Sequence, residues 1–178
     1  MNEKPCETGM AIELTDYSLG HADEEHLLAE QKECTFIWTN RKGEPVGVVM
    51  TFLSSKNRLW LLVTEKRARV TAVRRDPRTC IVITSAGLLG GTGKTVTYKG
   101  ITRVHAYDNP ELQWVYHEYV AKLNGENNIE RIEFFKSMLA VPERVILEFI
   151  LEKKITYDGD KMAAQVPGSN GKFDDMWK

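Results

Sequence analysis

The stretch Arg58 to Thr84, RLWLLVTEKRARVTAVRRDPRTCIVIT, constrains the fold of this chain more than any other. Arg58 to Thr64 is an apolar, β-prone run, which predicts a buried strand. From Thr64-Glu65 the composition shifts to helix formers, with Val70 and Val73 three apart on one face of a short helix. Asp76-Pro77 ends that helix, because the proline ring crowds the residue before it out of helical geometry. Thr79 to Ser85 then returns as a strand. Six basic residues (Lys66, Arg67, Arg69, Arg74, Arg75 and Arg78) fall in this one piece of a chain whose net charge is −1. A threonine and three cations at a helix start suit an anion, since the first-turn N–H groups are free there and the helix dipole is positive. The expectation is a site for the phosphate of a cofactor. Two plainer readings stand beside it. One is a solvated basic helix face. The other is a nucleic-acid patch, which the near-neutral net charge and the confinement of the basic residues to one segment disfavour.

The rest of the chain supplies short strands and inserted helices. Residues 1–20 carry little pattern and read as an N-terminal arm, and Ala22 to Lys32 as a helix with acidic residues in its first turn. Cys34 to Thr39 and Pro45 to Leu53 read as a hairpin turning at Asn40 to Glu44, with Gly43 where a positive φ is needed. Thr95 to Tyr107 predicts a long strand with a bulge at Gly100. Asn109-Pro110 opens a helix over Glu111 to Leu123, and Ile129 to Leu139 predicts a second. Val145 to Leu151 alternates as a strand and leads to Ile155-Thr156-Tyr157. The tail from Asp158 reads as either disordered or an arm packed late. The domain layout is an arm over 1–20, a domain over 21–158 and a tail over 159–178. Repeated short strands joined by hairpins argue for a closed or split antiparallel barrel rather than a parallel doubly wound sheet.

Several chemistries are disfavoured. The run Gly87 to Thr95 imitates a phosphate-binding P-loop, but Leu88 stands where the motif needs its first glycine and a β-prone run follows instead of a helix. Cys34 and Cys80 sit in apolar runs and read as free thiols, and there is no CxxC. His21, His26, His105 and His117 show no i,i+4 pairing, so no metal site is expected. No apolar run approaches the roughly 20 residues of a membrane span, and the N-terminus lacks the apolar centre of a signal peptide. The expected location is cytoplasmic, with no membrane or nucleic-acid partner. At 178 residues, one domain with a core of its own is expected.

The succession of a hairpin, a strand ending in Thr64, the run Glu65-Lys66-Arg67-Ala68-Arg69, the helix Val70 to Arg75 and Asp76-Pro77-Arg78 before a strand resembles the flavin-binding split-barrel family. That is the superfamily of pyridoxamine 5′-phosphate oxidase and its deazaflavin-dependent relatives. The resemblance runs from about Ala22 to Gly159, and its specific part lies around Thr64 to Arg78. It implies a six-stranded antiparallel split β-barrel, mainly β with α insertions, and a homodimer with a cofactor between protomers. The implied cofactor is FMN or the deazaflavin coenzyme, and the implied chemistry is hydride transfer to or from a small organic substrate. By residue, Arg67 and Arg69 take the place of the basic pair that holds the cofactor phosphate, with Thr64 and Lys66 as further contacts. The ring would lie along Val48, Val49, Met50 and Thr51 and along Trp60 to Val63, including Leu62, mostly against backbone. Arg69 stands where lysine is usual, which keeps the charge and adds a bidentate fork. The residues that recognise pyridoxal phosphate in the oxidase are not evident. No catalytic acid/base pair stands out; Tyr98, His105 and Tyr157 are candidate proton donors with structural readings beside them. A non-catalytic carrier or sensor of flavin or haem is the alternative function, and a basic interaction helix the third.

Overall fold

A computed structural model describes residues 17–89, 91, 93–125 and 128–176. Its strands are β1 (Glu33–Thr39), β2 (Pro45–Thr51), β3 (Leu53–Ser55), β4 (Arg58–Thr64), β5 (Arg78–Thr84), β6 (Lys94–Ala106) and β7 (Arg144–Asp158). The helices are α1 (His21–Glu30), α2 (Ala68–Arg75), α3 (Gln113–Asn124), α4 (Ile129–Leu139) and α5 (Gly159–Ala163). Of the predicted arm over 1–20, only the part from Tyr17 onward lies within the described residues.

All strand pairs are antiparallel, in the order β2-β1-β5-β6-β7-β4-β3. The two edge strands, β2 and β3, are consecutive in the chain with only Phe52 between them. A sheet whose first and last strands share one connecting residue must curl until its edges nearly meet, and the result is a split barrel.

The strand count corrects the sequence reading, which expects six where the described residues form seven. The extra one comes from the predicted strand Pro45 to Leu53, which breaks at Phe52. Phe52 N–H leaves the ladder and donates to Lys32 O at 3.2 Å, and its ring is 1% exposed. Phe52 and Leu53 are both buried although adjacent, so the chain crosses from the barrel interior to the layer beneath α3 at this point. The two halves then pair with different partners, β1 and β4.

β4 explains why its sequence is apolar without alternation. Leu59, Leu61 and Val63 face the barrel core with Phe36, Leu147 and Phe149. Trp60 and Leu62 face outward under α3, against Val115, Tyr116 and Tyr119. A strand buried on both faces has no solvent side to make polar. The helical insertion after Asn109 therefore covers the outer face of β4.

The β6–β7 ladder carries a bulge between Lys99 and Gly100, as the glycine foretold. A Cβ on Gly100 would lie 2.0 Å from Ile150 O, so no larger residue fits there. β7 runs from Arg144 to Asp158 and so takes in both the predicted strand Val145 to Leu151 and Ile155-Thr156-Tyr157 beyond it. Its polar stretch Glu152-Lys153-Lys154 stays extended because this part of the ladder is exposed. Cys34 is buried, Cys80 half-buried, and both are free thiols.

The tail resolves as a packed arm over its described part. The Phe173 ring lies so close over Gly93 and Gly159 that a Cβ on either would sit 2.5 Å from a ring carbon. The loop that imitates a P-loop thus seats an aromatic ring, and its lysine, Lys94, opens a strand and binds Asp23 at 3.0 Å. No helix among the described residues is long and apolar enough to cross a membrane.

Candidate functional site

β4 ends at Thr64, and the chain enters α2 through Glu65-Lys66-Arg67. Backbone bonds fix this corner: Glu65 N–H donates to Glu143 O at 2.7 Å, and Arg67 N–H to Thr64 O at 3.0 Å. The residue capping α2 is Arg67, which offers no side-chain acceptor, and the first turn holds no acidic residue. The positive end of the helix dipole therefore has no negative group from its own turn.

The six cations of this segment divide into two sets. Arg74 binds Glu65 through both terminal nitrogens, one of them at 2.9 Å. Arg78 binds Asp76 at 2.9 and 2.7 Å, and Arg75 donates to Thr39 O at 2.5 Å. Side-chain and backbone hydrogen bonds from Arg78 hold the Asp76 carboxyl at about 2, and the Arg74 bond lowers Glu65. Lys66, Arg67 and Arg69 form no ion pair among the described residues. Burial, and then the charge of Arg67, push the Arg69 guanidinium below its ordinary value, and its Nε is buried without a hydrogen-bond partner. A half-buried guanidinium beside another cation, lacking a counter-ion, is an arrangement that an anion would complete.

One residue of this corner has no signal in the sequence. Arg144 lies directly opposite Thr64 across the β4–β7 ladder, close enough for side chains to touch. The two are 80 positions apart, and only the strand register unites them.

The residues expected to line a ring are placed along the split. β2 pairs with β1 on one side only, and β3 covers β4 no further than Trp60. The outer backbone edges of Val48 to Thr51 and of Leu61 to Thr64 thus border the opening of the barrel. Val49 is 65% exposed, while Met50, Leu62 and Val63 are buried and can present only backbone. The Thr51 hydroxyl is bonded to the Tyr119 hydroxyl, which also donates to Thr51 O at 2.9 Å. Tyr119, its own pKa raised to about 12 chiefly by burial, bonds the β2 lip and shares a buried apolar cluster with Leu62 of the β4 lip.

The candidate proton donors all have internal partners. Tyr98 O–H donates to Glu24 at 2.6 Å, and burial followed by Glu24 pushes its pKa far up. His105 Nε2 bonds Glu148 at 2.9 Å, and Tyr157 O–H donates to Met162 Sδ at 3.1 Å. His105 stands opposite Ile146 on β7, and the Glu148 it bonds is the one that approaches Arg58 at the other end of β4.

No family model matches this sequence, and no curated protein does. Solved structures do. The conserved hypothetical protein Rv2991 of Mycobacterium tuberculosis aligns with a TM-score of 0.70 at 17% identity, over 83% of this chain and 89% of that one. The haem storage protein HutZ of Vibrio cholerae aligns at 0.57 and 14% identity, over 77% and 94%. An F420 reductase aligns at 0.52 and 15% identity, over 74% and 94%. Likenesses at this identity speak for the fold, and the chain has the fold of the flavin-binding split barrels. Proteins sharing it include flavin-type oxidoreductases and haem-binding proteins.

Proposed function

We propose that this protein is an oxidoreductase that holds a phosphate-bearing flavin, FMN or a deazaflavin coenzyme such as F420, at the Thr64–Arg69 corner. The observation that carries the reading is the group of three cations without counter-ions at an uncapped helix start, one of them with a buried, unpartnered Nε. Arg67 and Arg69 would grip the phosphate, Thr64 would add its hydroxyl, and Lys66 and Arg144 would add charge. The unpaired backbone edges of β2 and β4 would hold the ring system. Bound there, the coenzyme would supply hydride transfer to or from a small organic substrate. A second protomer would complete the site, covering exposed apolar side chains such as Val49 and Ile155, which are 65% and 58% exposed.

The second reading is a flavin or haem carrier. The internal partners of Tyr98, His105 and Tyr157 favour it, since a catalytic donor needs a proton free to move.

The test is an absorbance spectrum of the fresh protein, then titration with FMN and F420 and turnover assays with nicotinamide donors. Saturable binding with turnover supports the enzyme. Binding without turnover supports the carrier, and binding of neither coenzyme overturns the oxidoreductase.

A further inference from the structure

A cavity of about 670 Å³ lies at the other end of β4, and the function proposed above makes no use of it. Seven residues of strand separate the two places, which is about 20 Å. One wall is α1, which presents His21, Glu24, Glu25 and Leu28 at helical spacing. The other wall is the β3–β4 hairpin. Its turn residues Lys56 and Asn57 have φ of 54° and 58°, the tight turn whose twist suits a hairpin. The floor is apolar: Leu59 and Phe149 are buried, and Leu151 is 43% exposed to the space above.

The polar groups show a surplus of donors. Glu24 is 6% exposed, and both its oxygens are occupied, one by Tyr98 O–H at 2.6 Å and one by Lys154 Nζ at 2.5 Å. Burial acts to raise the Glu24 carboxyl, but the bonds from Lys154 and Tyr98 outweigh it and hold the carboxyl below its ordinary value. The Lys154 ammonium has three N–H groups and spends one on Glu24. Arg58 donates to Asn57 O at 2.9 Å and approaches Glu148 at 3.4 Å, leaving donors of its fork free. Glu25, the other acid of the lining, has a side chain 67% exposed to water and lies 3.5 Å from His21. An apolar floor rimmed by cations with spare donors, in a volume of small-ligand size, defines a ligand with an apolar body and one negative head.

We propose that this cavity is a second small-molecule site that binds an amphipathic organic monoanion, a carboxylate or sulfonate, with its body on Leu59, Phe149 and Leu151 and its head toward Lys154 and Arg58. The site is independent of the flavin corner.

The test titrates the full chain with 8-anilinonaphthalene-1-sulfonate, following its fluorescence, and then displaces it with octanoate or with uncharged octanol. Octanoate is expected to compete about tenfold better than octanol, the size of one charge-assisted hydrogen bond. Leu151→Glu, at an exposed position, should weaken both competitors about tenfold by placing a carboxylate on the floor. The double variant Glu24→Gln/Lys154→Met removes the ion pair together and should erase the preference for octanoate while leaving the FMN titration in place and the melting temperature within a few degrees of wild type. Equal competition by octanoate and octanol, or an unchanged titration in Leu151→Glu, overturns the proposal. Absence of any fluorophore binding does so as well.

Discussion

The two ends of β4 carry cations for opposite reasons. At the Arg58 end, Arg58 and Lys154 each face a carboxylate of the same chain, Glu148 at 3.4 Å and Glu24 at 2.5 Å. At the Thr64 end, Lys66, Arg67 and Arg69 face none among the described residues, although Arg74 and Arg78 in the same segment do. Charges matched inside the chain keep their places without a ligand, and only their spare donors are open to one. Charges left unmatched, with a buried Nε among them, cost stability that a ligand would restore. The difference teaches that a count of basic residues is a poor guide to a site, and that a count of their partners is a better one.

The largest effect should come from the strand between the two ends. Leu61 is fully buried in the barrel core, so Leu61→Ala should cost about 2–5 kcal/mol by chemical denaturation. A much smaller loss would mean that β4 is not the common wall of both sites.

Next in size is Arg67→Ala/Arg69→Ala, expected to weaken FMN or F420 binding at least ~100-fold, two charge-assisted bonds being lost. The matched cation Arg78, 83% exposed in its side chain and held by Asp76, supplies the control. Arg78→Ala should change the same titration less than about twofold, as exposed pairs contribute little. Equal damage from both variants would break the distinction between matched and unmatched charge.

That distinction was half legible in the sequence. The clustering of the six cations, the strand ending in Thr64 and the stop at Asp76-Pro77 are local patterns, and local patterns fix local structure. The pairing of Arg74 with Glu65 spans nine positions and depends on how the chain turns between β4 and α2. The placement of Arg144 opposite Thr64 is a matter of register between strands far apart in the chain. The break at Phe52 was hidden because both halves are β-prone, and only pairing with two different strands separates them. The cavity was illegible for the same reason. Its walls come from α1, the β3–β4 hairpin and two distant strands, and nothing local to α1 says which strands it faces.

A smaller effect separates the two ends by ionic strength. Raising salt from about 50 to 500 mM shortens the screening length several-fold, so coenzyme binding at the unmatched corner should weaken about tenfold. Octanoate binding in the cavity, driven mainly by apolar area and met by cations that each already stand beside a carboxylate, should change less than about threefold. Identical salt slopes from the two titrations would show that both sites are electrostatic and that matching inside the chain is irrelevant to either.

The smallest effect is a pH dependence confined to the matched end. Glu24 is held below its ordinary value of 4.5 in the folded chain, through the bonds from Lys154 and Tyr98 that outweigh its burial. Its unfolded form takes up a proton first as pH falls, so its contribution is complete above 4.5 and is lost as pH drops through the folded value. Melting temperatures of wild type and Glu24→Gln should therefore differ by a constant amount between about pH 6 and 8 and converge below about pH 4.5. Lys154 is 47% exposed in its side chain, so water screens the pair and the gap should be a few degrees at most. Convergence at high pH instead would reverse the sign and place the proton on Glu24 in the folded state. Lys154 would then keep its charge beside a neutral carboxyl, and the cavity would be more positive by one charge than the ionised pair makes it.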